Sequence, residues 1–335
     1  MMKNKSKNIR KLEKKVNKLN KKENASTKRN KKGILALAGI ILLCIGGILF
    51  LLRERLFDLY NKQHSNDDIS ADVSELQNGD KPDDLLQIHY IDVGQGDSTL
   101  ITYKGHSMLI DAGDNSKGTA IQYYLKGQGI QTLDYAVVTH PDADHIGGMD
   151  VIIYKFDCEN VFMPDISKDT QSYEDVMMSV EEKKCNVHHP YQGEEFYMDD
   201  IKFTVLWPTK ELTSEDANDH SIVLLMEYKN LSFLFAGDAG INIMSDIKTD
   251  YPELKVDVYK VAHHGSVGSF NEDFLDSLNI KYGVISCGVD NDYSHPHKEI
   301  LRYLEDANIQ VYRTDVNGDI ILYTDGDKIA WSTEK

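Results

Sequence analysis

The chain has 335 residues, of which 41% are hydrophobic and 9% aromatic, and this composition excludes a wholly disordered protein. Residues 1–32 carry 14 Lys and Arg side chains against two acids, whereas the rest of the chain carries 23 basic and 52 acidic side chains. The net charge of −29 beyond residue 32 argues against a protein that coats nucleic acid through counterion release.

The first predicted element is a membrane-spanning helix at residues 33–52. This segment has twenty consecutive residues without a charged side chain, which is the length that a helix needs to cross a bilayer. The basic tail at 1–32 would lie in the cytoplasm and the rest of the chain outside, by the positive-inside rule. A cleaved signal peptide is the alternative, but the apolar run is long for one. The polar segment 53–85 is interpreted as a juxtamembrane linker.

Short β-rich runs and helical segments alternate from residue 86 to residue 335. Strands are predicted at 86–93, 98–103, 106–111, 133–140, 201–206, 221–228, 231–236, 256–262, 281–287, 310–313, 318–323 and 328–332. Helices are predicted near 118–128, 146–154, 172–184, 239–249, 271–278 and 297–307. Because strands and helices are interspersed throughout, the pattern predicts a single layered α/β domain.

One loop after a predicted strand is dense in metal-binding residue types. It places His140, Asp142, Asp144 and His145 within six residues, directly after the apolar run 133–140. Imidazole and carboxylate groups together suit zinc, manganese or iron. The alternative is a polar loop whose aspartate caps the next helix, which explains two histidines and two aspartates at these offsets less well. The glycines after His145 would let the following helix pack closely.

Three further segments end or begin elements with residues of the same chemistry. Asp238 follows a predicted buried strand, although alone it could be a helix cap. His263 and His264 follow another apolar strand, and His295 and His297 precede a predicted helix. Each segment taken alone also fits a structural role, but together they predict contributions to one cleft.

The order of these motifs resembles the metallo-β-lactamase superfamily. The motifs are LIDAGD (109–114), THPDADHIGG (139–148), FAGD (235–238) and AHHGS (262–266). The preceding IDVGQGDS (91–98) is similar to the metallo-β-lactamase domain of ComEC-type DNA-uptake proteins and their stand-alone relatives. The resemblance covers roughly residues 87–333 and implies an αββα sandwich fold.

The resemblance also implies a centre of two divalent ions, zinc or manganese. It implies ligand roles for His140, Asp142, Asp144, His145 and Asp238, with Asp238 bridging the two ions. One histidine of the pair at 263 and 264 would complete the second site, and we favour His263 because it is nearer the strand end. Asp142 stands where the commoner family pattern has a histidine, and this oxygen-rich site favours manganese.

Other residues receive supporting roles from the same resemblance. His220 lies just before the FAGD strand and is a candidate ligand of the first ion, although that region is asparagine-rich in the ComEC-like branch. Asp97, Asp111 and Asp114 are candidates for orienting the ligands, and Gln95 is a candidate for lining the cleft.

The implied reaction is hydrolysis by a metal-bound hydroxide that attacks a phosphorus or carbonyl centre. The catalytic candidates are Asp144, His295 and His297, and either histidine could protonate the leaving oxygen. The sequence thus predicts a membrane-anchored, extracytoplasmic phosphodiesterase or nuclease acting on DNA. Any role in DNA uptake would need membrane partner proteins, because one span cannot form a channel. Two alternatives stay open: a hydrolase of another extracellular ester, such as a cell-wall phosphodiester or a lactone, and a non-catalytic metal-binding scaffold.

Overall fold

The computed structural model describes Leu76 and residues 85–335. The predicted basic tail at 1–32 and the predicted membrane helix at 33–52 lie outside the described residues, as does almost all of the predicted linker at 53–85. Within the described part of the chain, no helix is both long enough and apolar enough to cross a bilayer.

Two β-sheets stand at the centre of the domain. The first contains β1 (Leu86–Tyr90), β2 (Thr99–Tyr103), β3 (His106–Ile110), β4 (Thr132–Val137), β5 (Asp157–Phe162), β6 (Asn186–His188), β14 (Ile320–Thr324) and β15 (Ile329–Thr333). Its spatial order is β15-β14-β1-β2-β3-β4-β5-β6. The second contains β7 (Glu195–Met198), β8 (Ile201–Trp207), β9 (Val223–Tyr228), β10 (Leu231–Phe235), β11 (Val258–Lys260), β12 (Tyr282–Ile285) and β13 (Gln310–Arg313). Its spatial order is β13-β12-β11-β10-β9-β8-β7.

The inner faces of the two sheets share one apolar core. Ile88 and Ile101 from the first sheet and Phe203, Met226 and Phe233 from the second are all fully buried in it. Since strand side chains alternate between faces, each sheet has a second face to cover. Helices cover these outer faces, so the domain is the αββα sandwich that the sequence predicted.

The helices are α1 (Gly118–Gly127), α2 (Ala143–Ile146), α3 (Met149–Lys155), α4 (Gln171–Lys183), α5 (Ile241–Asp250), α6 (Glu272–Leu278), α7 (Lys298–Asp306) and α8 (Thr314–Asn317). On the second sheet, Met244 of α5, Phe274 of α6 and Leu304 of α7 are buried with Leu234 and Tyr259 of the strands. On the first sheet, β3, β4, β5 and β6 pair in parallel, and such crossovers carry their helices to the face of the sheet.

The predicted helix at 146–154 is two helices, α2 and α3, that meet at Gly147 and Gly148. A Cβ atom at Gly147 would lie 2.4 Å from the backbone oxygen of Ala143, and one at Gly148 would lie 2.4 Å from that of Ala112. The prediction that these glycines allow close packing is therefore confirmed. The sequence did not predict β5, β6 and β7, because these strands are short or mostly half-exposed and lack a clear alternation of apolar residues.

The parallel pairing of strands determines where polar loops meet. β10, β11 and β12 run in parallel, so the residues that follow them emerge at one edge of the second sheet. β3 and β4 are likewise parallel in the first sheet. The loops after these five strands carry most of the candidate metal-binding residues, and the loop after β1 adds Asp97.

Candidate metal centre

Four buried side chains from distant parts of the chain converge in a single cluster. Asp97, His145, Asp238 and His264 each offer one nitrogen or oxygen atom, and these atoms lie within 4.8 Å of one another. We call these four residues the central cluster. Two aspartates and two histidines at this spacing suit a divalent transition-metal ion.

Asp238 lies in the middle of the candidate site. Its Oδ1 is 3.2 Å from Nε2 of His145, and its Oδ2 is 3.6 Å from Nε2 of both His263 and His264. Nε2 of His140 is 4.0 Å from the same Oδ2. Gly240, not Asp238, occupies the cap position of α5, so the alternative that Asp238 caps the next helix is excluded.

Asp111 holds the ring of His145 from behind. Oδ2 of Asp111 accepts a hydrogen bond from Nδ1 of His145 at 2.8 Å, and both carboxylate oxygens accept from Thr139, at 2.8 Å from its N–H and 2.6 Å from its hydroxyl. This contact places the proton on Nδ1 and leaves Nε2 facing Asp238. Asp111 thus has the ligand-orienting contact that the sequence predicted for it.

We expect Asp111→Asn to weaken metal binding by about 10- to 100-fold, the usual cost of losing such an orienting partner. Isothermal titration with manganese would measure this. Asp134→Asn is a matched control, because Asp134 makes the same contact with Nδ1 of the more exposed His106 at 2.7 Å. Equal metal affinity in the Asp111→Asn variant and the wild type would contradict this role.

His264 is held in an equivalent way. Its Nδ1 donates to the backbone oxygen of Ser286 at 2.9 Å, and Oδ1 of Asp97 lies 3.3 Å from the same nitrogen. Its Nε2 lies 3.3 Å from Oδ2 of Asp144 and 3.3 Å from Nε2 of His145. His264 therefore points its Nε2 into the central cluster.

The structure favours His264 over His263, against the preference stated from the sequence. His264 is 1% exposed at its side chain, whereas His263 is 28% exposed and lies at the edge of the cluster. Both residues have left-handed backbones, with φ of 49° and 53°. Such φ values are rare outside glycine and concentrate at functional sites, because the surrounding structure must stabilise them.

Two buried atoms of the site have no hydrogen-bond partner among the described residues. They are Nε2 of His140 and Oδ1 of Asp238, and the latter faces Nε2 of His145 at 3.2 Å in an ion pair without hydrogen-bond geometry. Buried polar atoms are nearly always hydrogen-bonded, because leaving one unpaired costs free energy. A bound cation would satisfy both atoms, so the residues present fit a metal ion.

The charges in the site determine the protonation of its histidines. Burial alone would lower the pKa of His264, but the carboxylates of Asp238 and Asp97 raise it to about 10. Burial would also lower the pKa of His145, but the carboxylates of Asp238 and Asp111 raise that pKa well above 6.5. Burial would raise the pKa of Asp144, but the hydrogen bond from His264 lowers it to about 2. The metal-free site thus pairs protonated imidazoles with carboxylates.

Metal binding is expected to release protons. The carboxylates favour the protonated forms of His145 and His264, so a metal ion must displace those protons. Metal affinity should therefore rise as the pH increases from about 6 toward the raised pKa of His264. Titration calorimetry at pH 7 in two buffers of different ionisation enthalpy should count at least about one proton released per ion. His106→Ala should not change that count, whereas pH-independent affinity in the wild type would disprove the assignment.

The structure places three other candidates outside the central cluster. The side chain of Asp142 accepts a hydrogen bond from Nζ of Lys168. Nε2 of His220 forms a hydrogen bond with the backbone oxygen of Ser214 at 2.8 Å, so this nitrogen does not face the site. Oδ1 of Asp114 accepts from the N–H of Ser116 at 2.6 Å and stabilises a local turn. The resemblance alone supports metal or ligand-orienting roles for these residues.

His295 and His297 border the cluster. The ring of His295 is centred 5.4 Å from that of His263 and 6.0 Å from that of His264. Nδ1 of His297 accepts a hydrogen bond from the N–H of Val267 at 3.2 Å. His295 is thus the nearer of the two to the central cluster.

Lys260 is a site residue that none of the sequence motifs predicted. Its Nζ lies 2.9 Å and 2.8 Å from the two carboxylate oxygens of Asp97, and the lysine is only 3% exposed. This ion pair keeps Asp97 charged beside His264. The signal was available, because a lysine inside the apolar strand segment VYKVA needs a buried partner.

Comparison with known proteins agrees with this geometry. Residues 91–289 match the model of the metallo-beta-lactamase superfamily. The chain is 31% identical over 252 residues to ComE operon protein 3 of Bacillus subtilis, covering 70% of this chain and 32% of that protein. It is 28% identical to Recombination protein 2 of Haemophilus influenzae, covering 70% and 28%, and 26% identical to Competence protein ComA of Neisseria gonorrhoeae, covering 71% and 32%.

These three relatives are of the ComEC type, and the chain spans about a third of the length of each. The family match covers more than half of the chain and includes the central cluster, from Asp97 to His264. The chain therefore belongs to the metallo-beta-lactamase superfamily, as a metal-dependent hydrolase domain with competence-protein relatives.

Proposed function

We propose that the chain is a phosphodiesterase that cleaves DNA with the help of two divalent ions, manganese or zinc. The observation that carries the proposal is the convergence of Asp238 with the Nε2 atoms of His145 and His264 in a buried site. Buried carboxylates and imidazoles with unpaired atoms suit cation binding, which both a hydrolase and the alternative of a non-catalytic metal-binding scaffold require.

The residues of the site have different roles in the proposed reaction. His140, His145, His264, Asp238 and Asp144 would hold the ions, and Asp111 and the backbone oxygen of Ser286 keep the two key rings turned toward them. Ions bound there would supply Lewis acidity and a water molecule with its pKa lowered toward neutrality. Asp97 and Lys260 hold His264 in place from the other side.

His295 is better suited to contacting substrate than to supplying a proton. Burial, with the charges of His264 and His263 beside it, lowers its pKa to about 4. At neutral pH the ring is therefore uncharged and a poor proton donor. This argues against the expectation that His295 protonates the leaving oxygen.

The choice of DNA rests on the relatives and not on the surface charge. Two of the relatives are named for recombination and competence, and the ComEC-type resemblance implies DNA. The net charge of −29 beyond residue 32 works against long-range attraction of a polyanion. A second candidate is another extracellular ester, such as a cell-wall phosphodiester or a lactone, and of these the negative charge favours the uncharged lactone.

A substrate screen separates these functions. The purified full chain would be tested with manganese or zinc on single-stranded DNA, a bis-aryl phosphodiester and a lactone, beside an Asp144→Asn variant. The proposal expects DNA cleavage that needs the metal and is lost in the variant. Hydrolysis of the lactone alone would identify the second candidate, and no metal-dependent hydrolysis of any substrate would contradict both.

We also propose that the chain is anchored in the cytoplasmic membrane by residues 33–52, with the domain outside and membrane proteins as partners. The uncharged segment and the basic tail before it support this arrangement. A protease added to intact cells should digest the domain but spare the tail at 1–32. Full protection of the domain in intact cells, with digestion after lysis, would contradict the proposed topology.

A further inference from the structure

Four exposed apolar side chains lie on chain segments that follow candidate site residues. Ile241, Val267, Val289 and Tyr293 are four of the eight large apolar side chains that are exposed in the described part of the chain. They lie on the loops and helix start that follow Asp238, His264 and β12. Single exposed apolar residues need no explanation, but several on the segments next to a candidate site point to contact with a ligand.

Tyr293 is the residue of this group with a defined stacking geometry. Its ring is 5.7 Å from the ring of His295, with an interplanar angle of 20°. His295 in turn lies against His263 and His264. A series of flat rings therefore leads from the central cluster to Tyr293, which is 64% exposed.

The loop that carries Tyr293 is held in shape by Asn291. Oδ1 of Asn291 accepts from the N–H groups of Tyr293 at 3.2 Å and His295 at 2.9 Å. Its Nδ2 donates to the backbone oxygens of Gly288 at 2.9 Å and His295 at 2.6 Å. The backbone around Tyr293 is thus held in place before a ligand arrives, and stacking on His295 positions the ring, which lowers the entropic cost of binding.

His295 supports the ring of Tyr293 from the side of the metal centre. His295 is 8% exposed, whereas Tyr293 is 64% exposed, and the two rings are nearly parallel. The face of Tyr293 that points away from His295 is therefore open to a flat ligand such as a heteroaromatic ring.

We infer that Tyr293 and His295 form a stacking subsite for a nucleobase next to the phosphodiester that is cleaved. This inference rests on the proposed function and names the part of the substrate that the chain recognises. Stacking on an aromatic side chain tolerates any base, because every base has a π-face. The net negative charge beyond residue 32 weakens the attraction of phosphates, so stacking would supply much of the affinity.

The test compares Tyr293→Ala and Tyr293→Phe on two labelled twelve-residue substrates, oligo-deoxythymidine and an abasic oligomer of the same length. With manganese, Tyr293→Ala should lower kcat/KM on the thymidine oligomer by about 5- to 150-fold, the range reported by alanine substitutions at base-stacking aromatics. Tyr293→Phe should retain activity, and the abasic oligomer should be cleaved equally by all three proteins. Tyr197→Ala is the control, since Tyr197 is 55% exposed on β7.

Equilibrium binding of the same oligomers in EDTA, measured by fluorescence anisotropy, separates the subsite from the reaction. Base-dependent binding that Tyr293→Ala weakens would support the subsite even if the wild type cleaves no DNA, in which case only the proposed nuclease activity fails. Equal losses on both oligomers, or wild-type binding that does not distinguish thymidine from abasic oligomer, would overturn the inference.

Discussion

Replacing Asp238 with asparagine is expected to remove metal-dependent hydrolysis, with a loss larger than the roughly 100-fold upper cost of losing an orienting partner. The reason is geometric, because both carboxylate oxygens of Asp238 face histidine nitrogens at 3.2–3.6 Å. An amide has one acceptor oxygen and no charge, so it cannot serve both sides of the centre. The bound metal per chain should fall in parallel, as measured by atomic emission on the purified protein.

A matched control for this variant is Asp257→Asn. Asp257 also adjoins a strand of the second sheet, but it lies directly before β11, at the opposite end of that strand from His263 and His264, and its Oδ1 pairs with the exposed Lys281 at 2.8 Å. Metal content and rate should match the wild type in that variant. If Asp238→Asn retained full metal content and rate, the assignment of Asp238 to the centre would be wrong.

Replacing Lys260 with methionine is expected to destabilise the domain by about 3–5 kcal/mol, the typical cost of leaving one partner of a buried ion pair unpaired. Lys260 and Asp97 are 3% and 7% exposed at their side chains, so water cannot replace the lost contact. Burial would raise the pKa of Asp97, but Lys260, with help from His264, holds that pKa far below its usual value. Urea unfolding of the metal-free protein would measure the loss.

Two comparisons sharpen this second prediction. Lys281→Met removes an ion pair of the same 2.8 Å length, but Lys281 is 59% exposed, so the loss should be below about 1 kcal/mol. Adding Asp97→Asn to Lys260→Met should restore part of the stability, because no buried charge is then left unpaired. A Lys260→Met loss no larger than that of Lys281→Met would show that the buried pair is not essential.

The metal-binding residues could be predicted where several candidate ligands lie close together in the sequence or directly follow a predicted strand. His140, Asp144 and His145 come from a single loop, and Asp238 ends a strand segment that is buried on both sides, so their convergence could be predicted. The αββα fold followed from the same motifs. The short strands β5, β6 and β7 could not be predicted, since their burial comes from neighbouring strands and not from a periodic pattern of their own.

Pairings between distant residues could not be predicted. Lys260 and Asp97 are 163 residues apart, and their contact exists only because the turn after β1 packs beside β11. The choice between His263 and His264 depends on two consecutive left-handed residues, which direct the second ring inward. A sequence shows that two histidines are adjacent, but the backbone conformation decides which one is buried.

The central claim is that Asp238, His145 and His264 bind a common metal centre. Anomalous diffraction from crystals of the manganese-loaded protein tests it most directly. We expect ions within about 2.0–2.3 Å of Nε2 of His145, Nε2 of His264 and the carboxylate of Asp238. Anomalous peaks located elsewhere, with these three side chains left without an ion, would contradict the account.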